Sequence, residues 1–174
     1  MTTQIPVSAS PAERVRAACR LWSEPEFVAR CAAVLTGDPA EGETLLVLGG
    51  RSAGLIPLVY WPPVWAARAL LYAWHPTAAP AVVAALRHDA WRVREMAAKV
   101  CALRELGEAA DLLAAALDDP VPRVRAAAAR GLAVVGEAEH AEPLRDALAD
   151  PDPEVRRRAE QALDRLSDRL DRDV

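Results

Sequence analysis

Aromatic side chains are scarce in this chain: five Trp, two Tyr and one Phe stand among 174 residues, against 38 alanines. β-Branched residues are few as well. Sheets are built from such side chains, so little material remains for them and helices become the default. Cysteine is equally thin. Cys19, Cys31 and Cys101 are odd in number and show no CxxC spacing. A disulfide scaffold is excluded, and the three read as reduced, buried small hydrophobes. Lysine is nearly missing, with Lys99 alone among 21 basic residues. No apolar run reaches the roughly 18–20 residues of a membrane span. The opening MTTQIPVSASPAERVRAACR has no apolar signal-peptide core, so a cytoplasmic protein is expected. A formal net charge of -4 speaks against a broad nucleic-acid coat.

What the chain does have is a repeat. HDAWRVREMAAKVCAL (88–103), DPVPRVRAAAARGLAV (119–134) and DPDPEVRRRAEQALDR (150–165) align with a step of 31 residues. Val93, Val124 and Val155 keep that step, as do Arg94, Arg125 and Arg156, then Ala97, Ala128 and Ala159, then Cys101, Leu132 and Leu163. The frame reaches back to Ala66 and Leu70, with Pro62 where valine is expected. A second ladder lies between: Val82, Leu113 and Leu144, then Leu86, Leu117 and Leu148. Two ladders sharing one period make the repeat real.

Each repeat reads as two helices. Val124, Ala128, Gly131 and Leu132 fall on one stripe of a first helix, and Leu144 and Leu148 on a second. Gly107 and Gly136 are expected to turn the chain between them in a left-handed conformation. Asp152 is placed to cap the next helix and Pro153 to occupy its first turn. One pair cannot bury its own apolar face, so the pairs must stack.

The DPxPxVRxxAxxAL pattern at this step resembles the short HEAT-like repeat of the phycobilisome-lyase type. The resemblance covers residues 119–165 and, more loosely, 62–118. It implies an all-α, right-handed α-solenoid. It also implies a polar ladder between neighbouring repeats, carried by an Asp six residues before an Arg: Asp119 with Arg125, and Asp150 with Arg156. The first repeat departs from this, with His88 in that place and Asp89 one position later.

Residues 1–61 lie outside the frame and are read as an adapted helical N-terminal cap with an irregular joint over 51–62. Ser10–Glu13, Ser23–Glu26 and Asp38–Glu41 each have the spacing of a capping box. Residues 62–174 form the repeats 62–91, 92–122, 123–153 and a capping helix over 154–174, all in one continuous domain.

Catalytic chemistry finds no constellation. GGRSAG (49–54) has the glycines of an anion nest but lacks the GK[ST] ending of a P-loop, and reads as a helix stop. His75, His88 and His140 are scattered without ligand spacing. Cys101 occupies a core rung, and Ser52 lacks the GxSxG context of a nucleophile elbow. No catalytic residue, cofactor or metal is expected.

Charge is divided by helix. The first helices over 91–105, 122–135 and 153–166 carry +2, +3 and +1, while 107–119 and 136–150 carry -4 each. The second helices thus present Glu108, Asp111, Glu139, Glu142 and Asp146. Six of the aromatics fall between Tyr60 and Trp91, and Trp91 replaces the proline found at Pro122 and Pro153. Trp91 and the five acids form the candidate partner-binding surface, because Trp is a frequent anchor. The expected function is a non-catalytic protein-binding module or scaffold whose partner has a basic or neutral surface. Acidic second helices oppose a phosphate backbone. The alternatives are nucleic-acid binding through the Arg-rich first helices, as in HEAT-like alkylpurine DNA glycosylases, and a bilin lyase-like role implied by repeat type alone.

Overall fold

The structure, a computed structural model, describes residues 5–54 and 60–171. Among the described residues all regular structure is helical: α1 (Pro11–Trp22), α2 (Glu24–Leu35), α3 (Gly42–Gly49), α4 (Trp61–Ala69), α5 (Ala79–Ala85), α6 (Trp91–Arg104), α7 (Ala110–Ala115), α8 (Pro122–Val135), α9 (Ala141–Asp146) and α10 (Pro153–Leu170). Short 3₁₀ turns precede α5, α7 and α9. The all-α solenoid expected from the repeat is the fold. The chain divides into two compact units, one ending at Ala85 and the other beginning at Leu86.

In the first unit, α1 is capped on both sides of a box. The Glu13 amide donates to Ser10 Oγ at 3.4 Å and the Ser10 amide to Glu13 Oε2 at 2.9 Å. At Ser23 the box is one-sided, since Ser23 Oγ accepts the Glu26 amide without a return bond. The third expected box is absent. Asp38 instead completes the end of α2, its amide donating to the Ala33 carbonyl at 2.9 Å beyond a left-handed Gly37. α3 therefore starts at Gly42, with no side-chain cap. The apolar stripes Val15, Ala18, Cys19 and Trp22 on α1 and Phe27, Cys31 and Val34 on α2 face inward, with all but Cys19 and Trp22 buried.

A buried arginine locks this unit. Arg14 on α1 donates to the Val47 carbonyl at 2.7 Å and to the Leu48 carbonyl at 3.3 Å, which are orphan acceptors at the end of α3, and to Ala9 O at 2.6 Å. Gly50 lies against it with φ 56°, and a Cβ there would stand 2.8 Å from the guanidinium carbon and from Val7 O. GGRSAG is accordingly a helix stop, with Gly50–Gly54 forming a single 3₁₀ turn. Of the expected joint over 51–62, residues 55–59 lie outside those described.

The second unit stacks the pairs α6/α7 and α8/α9, closed by α10. Val93, Val124 and Val155 are fully buried, as are Ala128, Ala159, Cys101 and Leu132. The two last rungs differ. Leu163 is half-buried and Leu148 is 42% exposed, where Leu86 and Leu117 are buried. No further pair covers them among the described residues. The inter-helix glycines also differ from expectation, because neither Gly107 nor Gly136 has a positive φ. Gly136 is needed for closeness instead: a Cβ there would stand 2.5 Å from the Leu132 carbonyl oxygen. Glu105 takes the left-handed position that ends α6, with φ 53°.

Candidate functional site

The arginine ladder runs forward along the second unit. Arg94 holds the Asp119 carboxylate through two bonds, at 2.6 and 3.0 Å, and Arg125 holds Asp150 at 2.7 and 2.9 Å. Each side chain thus clasps the aspartate of the following pair. The spacing of six contributes a different contact, to backbone: Arg125 Nη1 donates to the Asp119 carbonyl and Arg156 Nη1 to the Asp150 carbonyl. Asp119 and Asp150 also accept the amides two residues on, from Val121 and Asp152, which bends the chain into the next helix. His88 keeps both the turn, its Nδ1 accepting the Ala90 amide at 3.0 Å, and the main-chain contact, its carbonyl accepting Arg94 Nη1 at 2.8 Å; what it lacks is the carboxylate.

The electrostatics follow the geometry. The bond from Arg125 holds Asp150 below its ordinary value, outweighing burial. At Asp119 burial pushes the other way, but the Arg94 bond, the Val121 amide and the charges of Arg94 and Arg125 together carry the group lower. The same clasp with Asp150 raises Arg125.

Trp91 is the first residue of α6 and is half-buried. Guanidinium groups of Arg92 and Arg123 lie 4.3 and 5.5 Å from its ring centre. Arg123 also donates to Glu95, a buried carboxylate that accepts from Lys99 as well. Trp91 therefore belongs to a knot of first-helix residues and is not brought together with the acids of the second helices.

Those acids separate into two groups. Glu139, Glu142 and Asp146 join Asp118 in a groove of about 460 Å³ between the second helices, with Ala114, Ala115, Leu117 and Pro143 as its apolar walls and no cation in its lining. Among the described residues none of these four carboxylates has an ion-pair or hydrogen-bond partner. Glu108 and Asp111 lie outside the groove. Asp111 meets His140 Nε2 at 3.2 Å, while His140 Nδ1 accepts the Glu137 amide, so the imidazole proton belongs on Nε2. Asp118 was not singled out from sequence, although it follows Glu108 and Asp111 in the same pair and falls within the -4 counted over 107–119.

A second groove, about 280 Å³, crosses the first helices. Leu103, Ala133 and Val134 contribute its apolar part, and Lys99, Arg130, Arg158 and Arg165 its charge. Its signal was present in the sequence as the 31-residue step from Lys99 to Arg130.

Cys31 and Cys101 are buried as expected, whereas Cys19 is only half-buried, at the edge of the α1 stripe. Burial and the nearby Glu108 charge push Cys101 up to about 12, and burial pushes Cys31 higher still. Among the described residues no group of three His, Cys, Asp or Glu side chains could hold a metal, and no helix is long and apolar enough to cross a membrane.

A family model for HEAT repeats matches residues 63–128 and 109–174. The fold is similar to the complex of CpcE and CpcF of phycocyanin lyase from Nostoc sp. PCC7120, with 21% identity and a TM-score of 0.61 over 97% of this chain and 66% of that one. It is also similar to an engineered protein (19% identity, TM-score 0.57, 93% and 88% covered) and to a designed armadillo repeat protein (17%, 0.54, 94% and 90%). At these identities the likeness is one of fold. No curated protein matches the chain.

Proposed function

The chain belongs to the HEAT-repeat family, and from that premise we propose that it is a non-catalytic protein-interaction module whose second-helix groove receives a basic segment of a partner. One observation carries this reading: Asp118, Glu139, Glu142 and Asp146 line a single groove with no cation among them. Four like charges left unpaired in one concavity raise its affinity for cations and steer them to it. The apolar walls from Leu117 and Pro143 suit a segment that mixes basic and aliphatic residues.

The Arg-rich first helices support the nucleic-acid alternative less well. Arg94 and Arg125 are committed to aspartates, and Arg123 to Glu95 and Trp91. A lyase-like role rests on the fold likeness alone.

Fluorescence anisotropy with a labelled peptide of alternating Lys and Leu tests the reading, against a Glu and Leu peptide of equal length. The basic peptide is expected to bind saturably, and Glu142→Arg with Asp146→Arg to weaken it at least about tenfold. Equal binding by this variant overturns the assignment.

A further inference from the structure

The first-helix groove is left unused by that function. Leu103, 54% exposed, is the most exposed large apolar side chain among the described residues, and it lies in this groove. No carboxylate lines the groove. Lys99 is engaged by Glu95, and Arg158 by Glu154 and Gln161. Arg130 and Arg165 have no carboxylate partner among the described residues. An open leucine beside two unpaired guanidinium groups calls for an apolar surface edged with carboxylates. A sugar–phosphate backbone supplies the charge without the apolar part.

The matching surface is on the chain itself. The second-helix groove offers four unpaired carboxylates beside Leu117 and Pro143, and the two grooves share no residue. One copy can therefore give one face and receive on the other. We propose that the occupant of the first-helix groove is a second copy of this chain, whose acid-lined second helices lie against Leu103, Arg130 and Arg165. The proposal rests on the reading of the acidic groove as a receiver of basic surface. The contact is heterologous, so each added copy leaves one face of each kind open. Assembly then proceeds past the dimer.

Sedimentation velocity tests this, with concentrations up to about 100 μM. The average mass is expected to grow beyond two copies at about 0.1 M salt and to return to one at about 1 M, where screening shortens from about 10 to about 3 Å. Arg130→Glu with Arg165→Glu breaks one face, and Glu142→Arg with Asp146→Arg the other; all four side chains are exposed, and circular dichroism checks that both variants are folded. Each variant alone stays monomeric. Mixed, they join through their remaining intact faces and stop at a 1:1 dimer. A wild-type chain that remains monomeric throughout, or a mixture that forms no dimer, overturns the proposal. A monomeric wild type that still binds the basic peptide leaves the acidic groove standing and removes only self-association. An oligonucleotide bound by wild type and released by the Arg130→Glu, Arg165→Glu variant would also overturn it, reassigning the groove to nucleic acid.

Discussion

Arg125 clasps Asp150 at two points, Nε to Oδ2 at 2.7 Å and Nη2 to Oδ1 at 2.9 Å, and so ties α8 to the turn that launches α10. Both side chains are largely shielded, at 12% and 8% exposure. Bonds of this charged kind contribute about 1.5–3 kcal/mol. Arg125→Ala and Asp150→Ala should each lower stability by about that amount, with a double mutant clearly less than additive in urea melts. Arg125→Ala with Asp119→Ala should couple more weakly than the first pair, because Arg125 bonds only to the Asp119 main chain and reaches its carboxylate through charge alone. Strong coupling in that second cycle would contradict the forward direction of the ladder.

The clasps give stability an acid limb. Asp119 and Asp150 have folded values below the ordinary 3.8, so they bind fewer protons in the folded state than in the unfolded one. Their contribution is fully present above that value and is lost as pH falls through the lower folded values. Melting temperatures followed from neutral pH down to about pH 2 should drop for wild type, and less steeply for Asp119→Asn with Asp150→Asn. Parallel curves would assign the acid limb to other groups.

Within one repeat the two leucine ladders are unequally covered. Leu132 is fully buried, and Leu132→Ala should cost roughly 2–5 kcal/mol. Leu148 holds the corresponding place on the second ladder but is 42% exposed, and its replacement by Ala should stay within about 1 kcal/mol. Chemical denaturation of both variants distinguishes them.

Gly50→Ala should destabilise the first unit by about 1–3 kcal/mol, from the strained φ alone. The added methyl also presses on Arg14, whose bonds close the end of α3. Hydrogen exchange should show the loss in α1 and α3, with α8 and α10 keeping their protection. Uniform loss across the chain would mean that the two units open together.

The period made the repeat core legible. Val93, Val124 and Val155 repeat because each fills the same buried hole, so one alignment reveals all three. The amino-terminal helices lack that redundancy. Asp38 has the spacing of a cap yet serves the helix before it, and Arg14 looks like any helical arginine until α3 is folded against it. Glu95 was hidden by the repeat itself, since its counterparts are Ala126 and Arg157 and the pattern marks the place as variable. The charges of the second helices were readable in the sequence. Their gathering into a groove was not, because Asp118 and Glu142 come from successive pairs and meet only through stacking. Gly136 is extended rather than left-handed, and its glycine answers a different need: hydrogen alone fits beside the Leu132 carbonyl.

The ladder has a direction, since Arg94 and Arg125 reach forward and Asp119 and Asp150 are held from behind. Arg156 repeats the two carbonyl contacts of Arg94, donating to Asp150 O and Pro151 O as Arg94 does to His88 O and Asp89 O. A directional link of this kind behaves like a chain of hooks and eyes, in which every segment carries one of each. Duplicating residues 119–149 in place would bring its own aspartate for the arginine behind and its own arginine for the aspartate ahead. Such an insertion keeps every link closed and lengthens the protein without a mismatched seam, whereas the same segment spliced in reverse order would leave both ends unhooked.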